Sequence, residues 1–262
     1  TVLGFSASVI SYTVGVGFGS PAPQITLATT TDTNATKVIT QASSVPGNAT
    51  VVVTSQNGSV TKTYTVSYVI TGPTTPAPTP PARNANDVVS LFSNAYSNIT
   101  IDTWSAIWDD SNYTDLQISG NDTKKIVFGN FIGVDFSGAG HHQDLTLMTR
   151  FHMDFYTDNA DLIGKVFNSK ISQWGGGAGE VSAAELNINT GTTPAIVTGS
   201  WVSIDVPMTQ WVNNLTRNDI AQFLITSNLG TVYVDNIYFY KEGLSTNSFE
   251  VSNAKMYPNP TM

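Results

Sequence analysis

Apolar and polar residues alternate over short stretches along the whole chain, and most stretches are rich in Val, Ile, Thr, Phe or Tyr. Gly, Asn, Asp and Ser separate them. Side chains of a β-strand point alternately to its two faces, so this two-residue period predicts half-buried strands joined by turns. The predicted strands are 12–16, 24–28, 50–54, 63–69, 87–92, 115–118, 124–131, 147–157, 163–167, 185–189, 201–206, 222–226 and 231–240. The chain is therefore predicted to be all-β, with 208–215 as a short helical piece or a turn.

A segment rich in proline and threonine divides the chain. Residues 73–82 hold five of the twelve prolines, and such a segment favours an extended polyproline conformation without a core of its own. We therefore predict a small Ig-like β-sandwich at 1–72, a linker at 73–84, a larger unit at 85–242 and a tail at 243–262. The many short strands of the larger unit predict a β-jelly-roll sandwich.

The composition narrows the classes of partner. Charged residues make up only 11% of the chain, with 11 Lys and Arg against 19 Asp and Glu, a net charge of −8 and a pI near 4.6. Such a molecule repels phosphate backbones and anionic lipids, which argues against nucleic acid and strongly anionic glycans. No stretch approaches the roughly 20 apolar residues of a spanning helix, so membrane insertion is not expected. We expect an extracellular monomer.

Tryptophans are the strongest candidates for ligand contacts. A sugar ring presents a flat C–H face that stacks on aromatic rings, while its hydroxyls bind amides and carboxylates. All five tryptophans follow the linker, and two of them lie in an Asp- and Asn-bearing stretch that does not alternate as a strand. The candidate sugar-contacting residues are Trp104, Trp108, Tyr113 and Trp174, with Asp102, Asp109 and Asn112 beside them. The alternative is that these rings pack in the core or anchor loops, which is the expectation for Trp201 and Trp211.

Polar residues in the predicted strand 147–157 form a second candidate group. Alternation places Leu147, Phe151, Met153 and Phe155 on a core face, with Met148, Arg150, His152, Asp154 and Tyr156 on the other face. Arg150, His152 and Asp154 either line a glycan groove or form a hydrogen-bonded cluster on the sheet. His141 and His142 follow glycines in a loop, where a metal role is not favoured.

Two parts of the chain resemble known families. Residues 11–14 and 57–66 resemble the cadherin-like sandwich repeats of bacterial surface proteins, which implies a spacer. Residues 87–96, 151–157, 201–207 and 232–240 together resemble carbohydrate-binding jelly-roll modules appended to glycan-degrading proteins of marine Bacteroidota. This second resemblance implies that the larger unit binds a neutral β-glucan of the laminarin type, a β-1,3-glucan.

The jelly-roll resemblance also implies a structural metal site. Many such modules hold Ca²⁺ between their first and last strands, and this cation prefers carboxylate and amide oxygens. Asp235 and Asn94 stand at the matching positions, although the family would usually have Asp where Asn94 stands. The alternative is that these two residues hydrogen-bond a strand end.

The tail carries a resemblance of its own. Tyr257-Pro258-Asn259-Pro260 is similar to the opening of the C-terminal sorting domain of the Bacteroidota type IX secretion system. The resemblance implies export across the outer membrane, to the cell surface or the medium.

Catalysis is not expected. A glycosidase needs two carboxylates on opposite sides of the scissile bond, and the internal glutamates of the larger unit are Glu180 and Glu185, both near a glycine-rich loop. No nucleophile elbow, phosphate-binding loop or zinc helix is present in the sequence. We therefore expect non-catalytic polysaccharide binding. The alternatives are a structural or adhesive surface protein, and a lyase or hydrolase, for which Arg150, His152 and Tyr156 would be the candidates.

Overall fold

The computed structural model describes residues 2, 4–177, 179–213 and 216–242, so the predicted sorting motif lies outside the described residues. This part of the chain contains fifteen strands and two single-turn 3-10 helices, Ala85–Asp87 and Met208–Gln210. The strands are β1 (Ser11–Gly17), β2 (Thr36–Thr40), β3 (Gly47–Thr54), β4 (Thr61–Thr71), β5 (Val88–Phe92), β6 (Thr103–Trp104), β7 (Asn112–Ile118), β8 (Asn121–Val127), β9 (Phe131–Asp135), β10 (Arg150–Tyr156), β11 (Phe167–Gln173), β12 (Ser182–Leu186), β13 (Trp201–Pro207), β14 (Ile220–Ser227) and β15 (Thr231–Tyr240). The all-β prediction is confirmed. Within these ranges, no helix is long and apolar enough for a membrane span.

The first four strands form one sheet in the order β1-β4-β3-β2, with β1 parallel to β4 and the other pairs antiparallel. Val16, Ala49, Val66 and Tyr68 form the centre of its small core. The predicted strand at 24–28 is wrong, because the side-chain amide of Gln41 takes both backbone bonds of Ile25 in place of a neighbouring strand.

The remaining strands form a two-sheet sandwich. One sheet has the order β13-β10-β15-β8-β7, with β5 also paired to β15, and is called the six-stranded sheet. The other, the five-stranded sheet, has the order β12-β11-β14-β9-β6. Their inner faces meet in a core that is separate from that of the first sheet, so the β-sandwich predicted for the larger unit is confirmed. The domain boundaries at 72, 84 and 242 stay predictions.

The largest register difference from the sequence prediction concerns β10. This strand begins at Arg150 rather than at residue 147, and the N–H of Met148 bonds to the Leu145 carbonyl in a preceding turn. The turn reverses the expected faces, so Leu147 is 67% exposed and Met148 is buried. The predicted strand 163–167 is also largely wrong, since β11 begins at Phe167 after a turn.

The predicted linker does not extend into solvent but lies across the outer face of the six-stranded sheet. Its Thr75 carbonyl accepts a hydrogen bond from Trp201 Nε1 at 2.9 Å. The Pro78 carbonyl accepts one from Asn236 Nδ2 at 2.9 Å, and Ala77 is buried. The outer face of the five-stranded sheet is left as the open face of the sandwich.

We expect Phe155→Ala to destabilise the protein by about 3–5 kcal/mol, because it leaves a cavity between the sheets. The Phe155 ring is fully buried and stacks on Phe167 with centroids 4.3 Å apart. Leu147→Ala is the matched control, and the free energy of unfolding in urea should change by no more than about 0.5 kcal/mol. A large loss in the Leu147 variant would contradict the observed start of β10.

Candidate functional site

The open face is built by alternate residues of the five-stranded sheet. Ile132, Val134, Phe223 and Ile225 point into the core, so the residues between them point outward. Strand register aligns these outward residues in rows. One row contains Gly133, Leu224, Lys170 and Glu185, and the next contains Thr103, Asp135, Gln222 and Ser172.

Trp108 lies on this face, directly over Gly133. A Cβ at residue 133 would collide with the six-membered ring of Trp108, so only glycine leaves room for the indole there. The indole stacks beside the ring of Phe131, with centroids 6.0 Å apart and planes 21° from parallel. Trp108 is nevertheless 43% exposed. The face therefore presents a flat aromatic surface to solvent.

Two aspartates hold the loop that carries Trp108. Asp109 Oδ2 accepts a hydrogen bond from the Gly133 N–H at 2.9 Å, which ties the loop to β9. Asp110 Oδ1 accepts from the N–H groups of Asn130 and Phe131 at 2.7 and 3.1 Å, and these bonds lower the pKa of Asp110. Asp109, predicted as a sugar contact, thus positions the loop. A fixed aromatic ring loses little entropy on binding.

Trp104 and Tyr113 are not brought together with Trp108. Both pack against the edge of the core, where the buried Lys124 Nζ lies 4.2 Å from the Trp104 ring centroid and 4.8 Å from that of Tyr113. Lys124 is also paired with Asp115 at 2.6 Å. The structure therefore assigns these two aromatic rings to holding Lys124. Asn112 is exposed at the start of β7, on the other sheet.

Asp102 and Trp174 lie at loops beyond one end of the five-stranded sheet. Asp102 accepts from the Gly138 N–H at 2.6 Å and contacts His141 Nδ1 at 2.7 Å. Trp174 continues the outward alternation of Lys170 and Ser172 but is partly buried, with its ring edge-on to that of His142 at 5.4 Å. Trp174 thus stands at the margin of the open face, with much of its ring packed.

Arg150, His152 and Asp154 lie on the opposite, six-stranded sheet. Arg150 pairs with Asp205 at 2.7 Å, and His152 stands between Asp205 and Asp154 at 3.4 and 3.3 Å. Asp154 is fully buried and also accepts from Asn236 Nδ2 at 2.8 Å. These residues are therefore arranged as a hydrogen-bonded cluster, the second of the two alternatives, and Asn236 joins the cluster to the Pro78 carbonyl of the 73–82 segment.

Burial and charge act against each other at His152. Burial alone would lower its pKa, but the hydrogen bonds and charges of Asp154 and Asp205 raise it to about 9. Asp205 behaves in the complementary way. Burial would raise its pKa, whereas bonds from His152, Arg150 and Tyr240 lower it to about 2. His152 and Asp205 are thus both charged at neutral pH, and their charges compensate each other.

The predicted calcium ligands do not form an open set of oxygens. Both carboxylate oxygens of Asp235 accept bonds, from the Asn236 N–H and from Asn121 Nδ2, and Asn94 Oδ1 accepts from the Asp122 N–H at 2.9 Å. Burial raises the pKa of Asp235 to about 7. In the part of the chain that the structure describes, no group of three acidic or histidine side chains is placed to hold a metal. This arrangement matches the hydrogen-bonding alternative more closely than an ion site, and calcium binding stays a prediction.

Several residues of the open face were not among those predicted from the sequence. Phe131, Asp135, Lys170, Gln222 and Glu180 lie on it, and Glu180 contacts Lys170 at 2.9 Å and Ser172 at 2.6 Å. The two-residue alternation of β9, β11 and β14 would have found the first four. The predicted strand 124–131 ran through the turn between β8 and β9, which hid the alternation of β9.

Comparisons with known proteins give distant likenesses only. No protein-family model and no curated protein matches the chain. One similar solved structure is a family 11 carbohydrate-binding module from Clostridium thermocellum in complex with a β-1,3-1,4-mixed-linked tetrasaccharide, at 11% identity and a TM-score of 0.42, covering 59% of this chain and 96% of that one. Another is the family 30 module of the Clostridium thermocellum cellulase Cel9D-Cel44B, at 12% identity and a TM-score of 0.40, covering 59% and 98%. Likeness at this level does not assign a family.

We expect the protein to lose stability as the pH rises from about 6.5 to about 9. The pKa of His152 is higher in the folded state than in the unfolded state. The stabilisation that protonated His152 provides is therefore complete below its unfolded-state pKa and is lost as the pH rises through its folded-state pKa. Thermal unfolding followed by circular dichroism across this window measures the loss. The unfolding temperature of His152→Gln should be lower than that of the wild type at pH 6.5 and should fall less steeply as the pH rises. An equally steep profile in that variant would show that another group titrates.

Proposed function

We propose that the jelly roll binds a neutral polysaccharide, a β-1,3-glucan such as laminarin, on the outer face of the five-stranded sheet and without catalysis. The observation that carries the proposal is Trp108, a partly exposed indole held flat over Gly133 beside Phe131. Aromatic rings of this kind stack on the C–H faces of sugars. The choice of β-glucan comes from the sequence resemblance.

Polar groups beside the aromatic surface suit sugar hydroxyls. Gln222 and Asp135 are cross-strand neighbours one row from Gly133, and Lys170 lies in the Gly133 row two strands away, about 10 Å at the usual strand spacing. Donors and acceptors thus alternate over a surface longer than one sugar ring. The net charge of −8 disfavours a polyanionic glycan and supports a neutral one.

The contacts of the candidate catalytic groups support a binding role. Arg150 and His152 are engaged by Asp205, and the hydroxyl of Tyr156 donates to Asp158 at 2.7 Å. On the open face, Glu180 is paired with Lys170. Arg150, His152 and Tyr156 also lie on the six-stranded sheet, away from a glycan bound beside Trp108, which argues against the lyase or hydrolase alternative at that face.

The proposal includes an extracellular location, in which the first sheet and the 73–82 segment connect the binding face to the cell or to a partner module. Export rests on the resemblance of the tail alone. The adhesive alternative differs in one respect that can be measured, since it requires no affinity for a glycan.

We expect Trp108→Ala to weaken retardation in gels containing laminarin by roughly tenfold or more in apparent affinity, because the central stacking ring is lost. Affinity electrophoresis of the full chain measures this, with mixed-linkage glucan, xylan, mannan and alginate gels in parallel. Trp201→Phe, on the other sheet, is the matched control and should bind as the wild type does. Absence of retardation of the wild type in every gel would contradict the proposal and favour the adhesin.

Gly133→Ala provides a separate test of the same site, because it keeps the indole but displaces it from the face. We expect a loss of retardation comparable to that of Trp108→Ala. Gly179→Ala, where an added Cβ meets nothing within 4 Å, should bind normally. Normal binding by the Gly133 variant would show that glycan binding does not require Trp108 to lie over Gly133.

A further inference from the structure

The 73–82 segment is held by contacts that recur every three residues. Carbonyl oxygens of Thr75, Pro78 and Pro81 each accept one hydrogen bond from the jelly roll. The donors are Trp201 Nε1 at 2.9 Å, Asn236 Nδ2 at 2.9 Å and the Tyr96 hydroxyl at 2.6 Å. The bonds are therefore evenly spaced along the segment.

This period matches the polyproline II helix, which has about three residues per turn and no internal hydrogen bonds. Residues three apart lie on the same side of such a helix, so one side of the segment faces all three donors. Proline has no N–H group, which leaves carbonyl oxygens as the backbone groups available for recognition. The indole, amide and phenol groups thus donate hydrogen bonds to the carbonyl oxygens that a proline-rich ligand presents.

The donor at the centre of the segment is fixed by the jelly roll itself. Asn236 lies at a β-bulge of β15 with a φ of +53°, so its side chain turns onto the outer face of the sheet. Its Oδ1 accepts from Ser93 Oγ at 2.9 Å, and its Nδ2 also contacts Asp154. Asn236 is thus oriented by neighbours that do not belong to the segment.

Aromatic rings mark both ends of the groove. At one end, Gly72 lies against the Tyr233 hydroxyl, where a Cβ would collide with the ring. At the other end, the guanidinium of Arg83 lies 3.6 Å from the centroid of Tyr240. Between them, Ala77 is buried. Aromatic walls with hydrogen-bond donors are the usual means by which proteins recognise polyproline ligands.

We propose that the outer face of the six-stranded sheet is a polyproline-binding groove, and that its occupant is residues 73–82 of the same chain. Because the segment is tethered at both ends, its effective concentration at the groove is on the order of millimolar or above, which keeps the groove filled. The segment is then a strap that fixes the jelly roll to the first sheet. The groove is independent of the glycan face.

A peptide with the sequence of residues 73–82 tests the groove in trans. The full chain is prepared with these ten residues replaced by Gly and Ser, which empties the groove and keeps the length. We expect the fluorescein-labelled peptide to bind this variant saturably in fluorescence anisotropy, and the wild type at least about tenfold more weakly, since its groove is filled. No saturable binding by the folded variant, or equal binding by the wild type, would overturn the proposal.

Two conservative changes connect that binding to the observed donors. In the Gly/Ser chain, Trp201→Phe with Tyr96→Phe removes two donors and keeps an aromatic ring at each position, and we expect roughly tenfold weaker peptide binding. Tyr64→Phe is the matched control, because the hydroxyl of Tyr64, on β4 of the first sheet, donates to the Ala7 carbonyl at 3.0 Å and not to the segment. Unchanged peptide binding in the double variant would contradict the assignment of the donors.

If the Gly/Ser chain does not fold, proteolysis of the chain with its native linker provides a second test. Trypsin cleaves after Arg83, which the strap holds against Tyr240. We expect cleavage of Trp201→Phe with Tyr96→Phe to be roughly tenfold faster than that of the wild type, because the strap opens more often. Equal cleavage rates in the two proteins would show that these donors do not hold the strap.

Discussion

The packing of Phe155 against Phe167 between the two sheets is the contact on which the jelly roll depends. Both rings are fully buried, and they come from β10 and β11, one in each sheet. Because side chains alternate along a strand, placing these two rings inside also decides which of their neighbours face outward. Asp154 is thereby turned to the outer face of one sheet and Asn168 to that of the other.

The two outer faces acquire different chemistry from this constraint. The six-stranded sheet carries polar groups that satisfy one another, with His152 between Asp154 and Asp205, and Asn236 joins Asp154 to the strap. The five-stranded sheet carries Trp108, held flat by a glycine beneath it and by aspartates that bond its loop. One face is thus used for internal cohesion, and the other remains available for a ligand.

Local alternation was sufficient to predict the core face of 151–155 and most of β15, because those strands obey the two-residue period. It failed where a distant group replaces a strand partner, as Gln41 does at Ile25. It also could not separate Trp108 from Trp104, four residues away, since only the fold shows that Lys124 lies against the Trp104 ring. The strap was invisible for the same reason, because its donors lie 15 to 158 residues from the carbonyls they bind.

The division of the two faces is tested most directly by a nuclear magnetic resonance titration of the ¹⁵N-labelled full chain with a laminarin oligosaccharide. Each of the five tryptophans has one indole N–H signal, so one spectrum reports on both faces. We expect the signal of Trp108 to shift progressively with oligosaccharide while that of Trp201, bonded to Thr75 under the strap, stays in place. A shift of Trp201 with Trp108 unmoved would contradict the account.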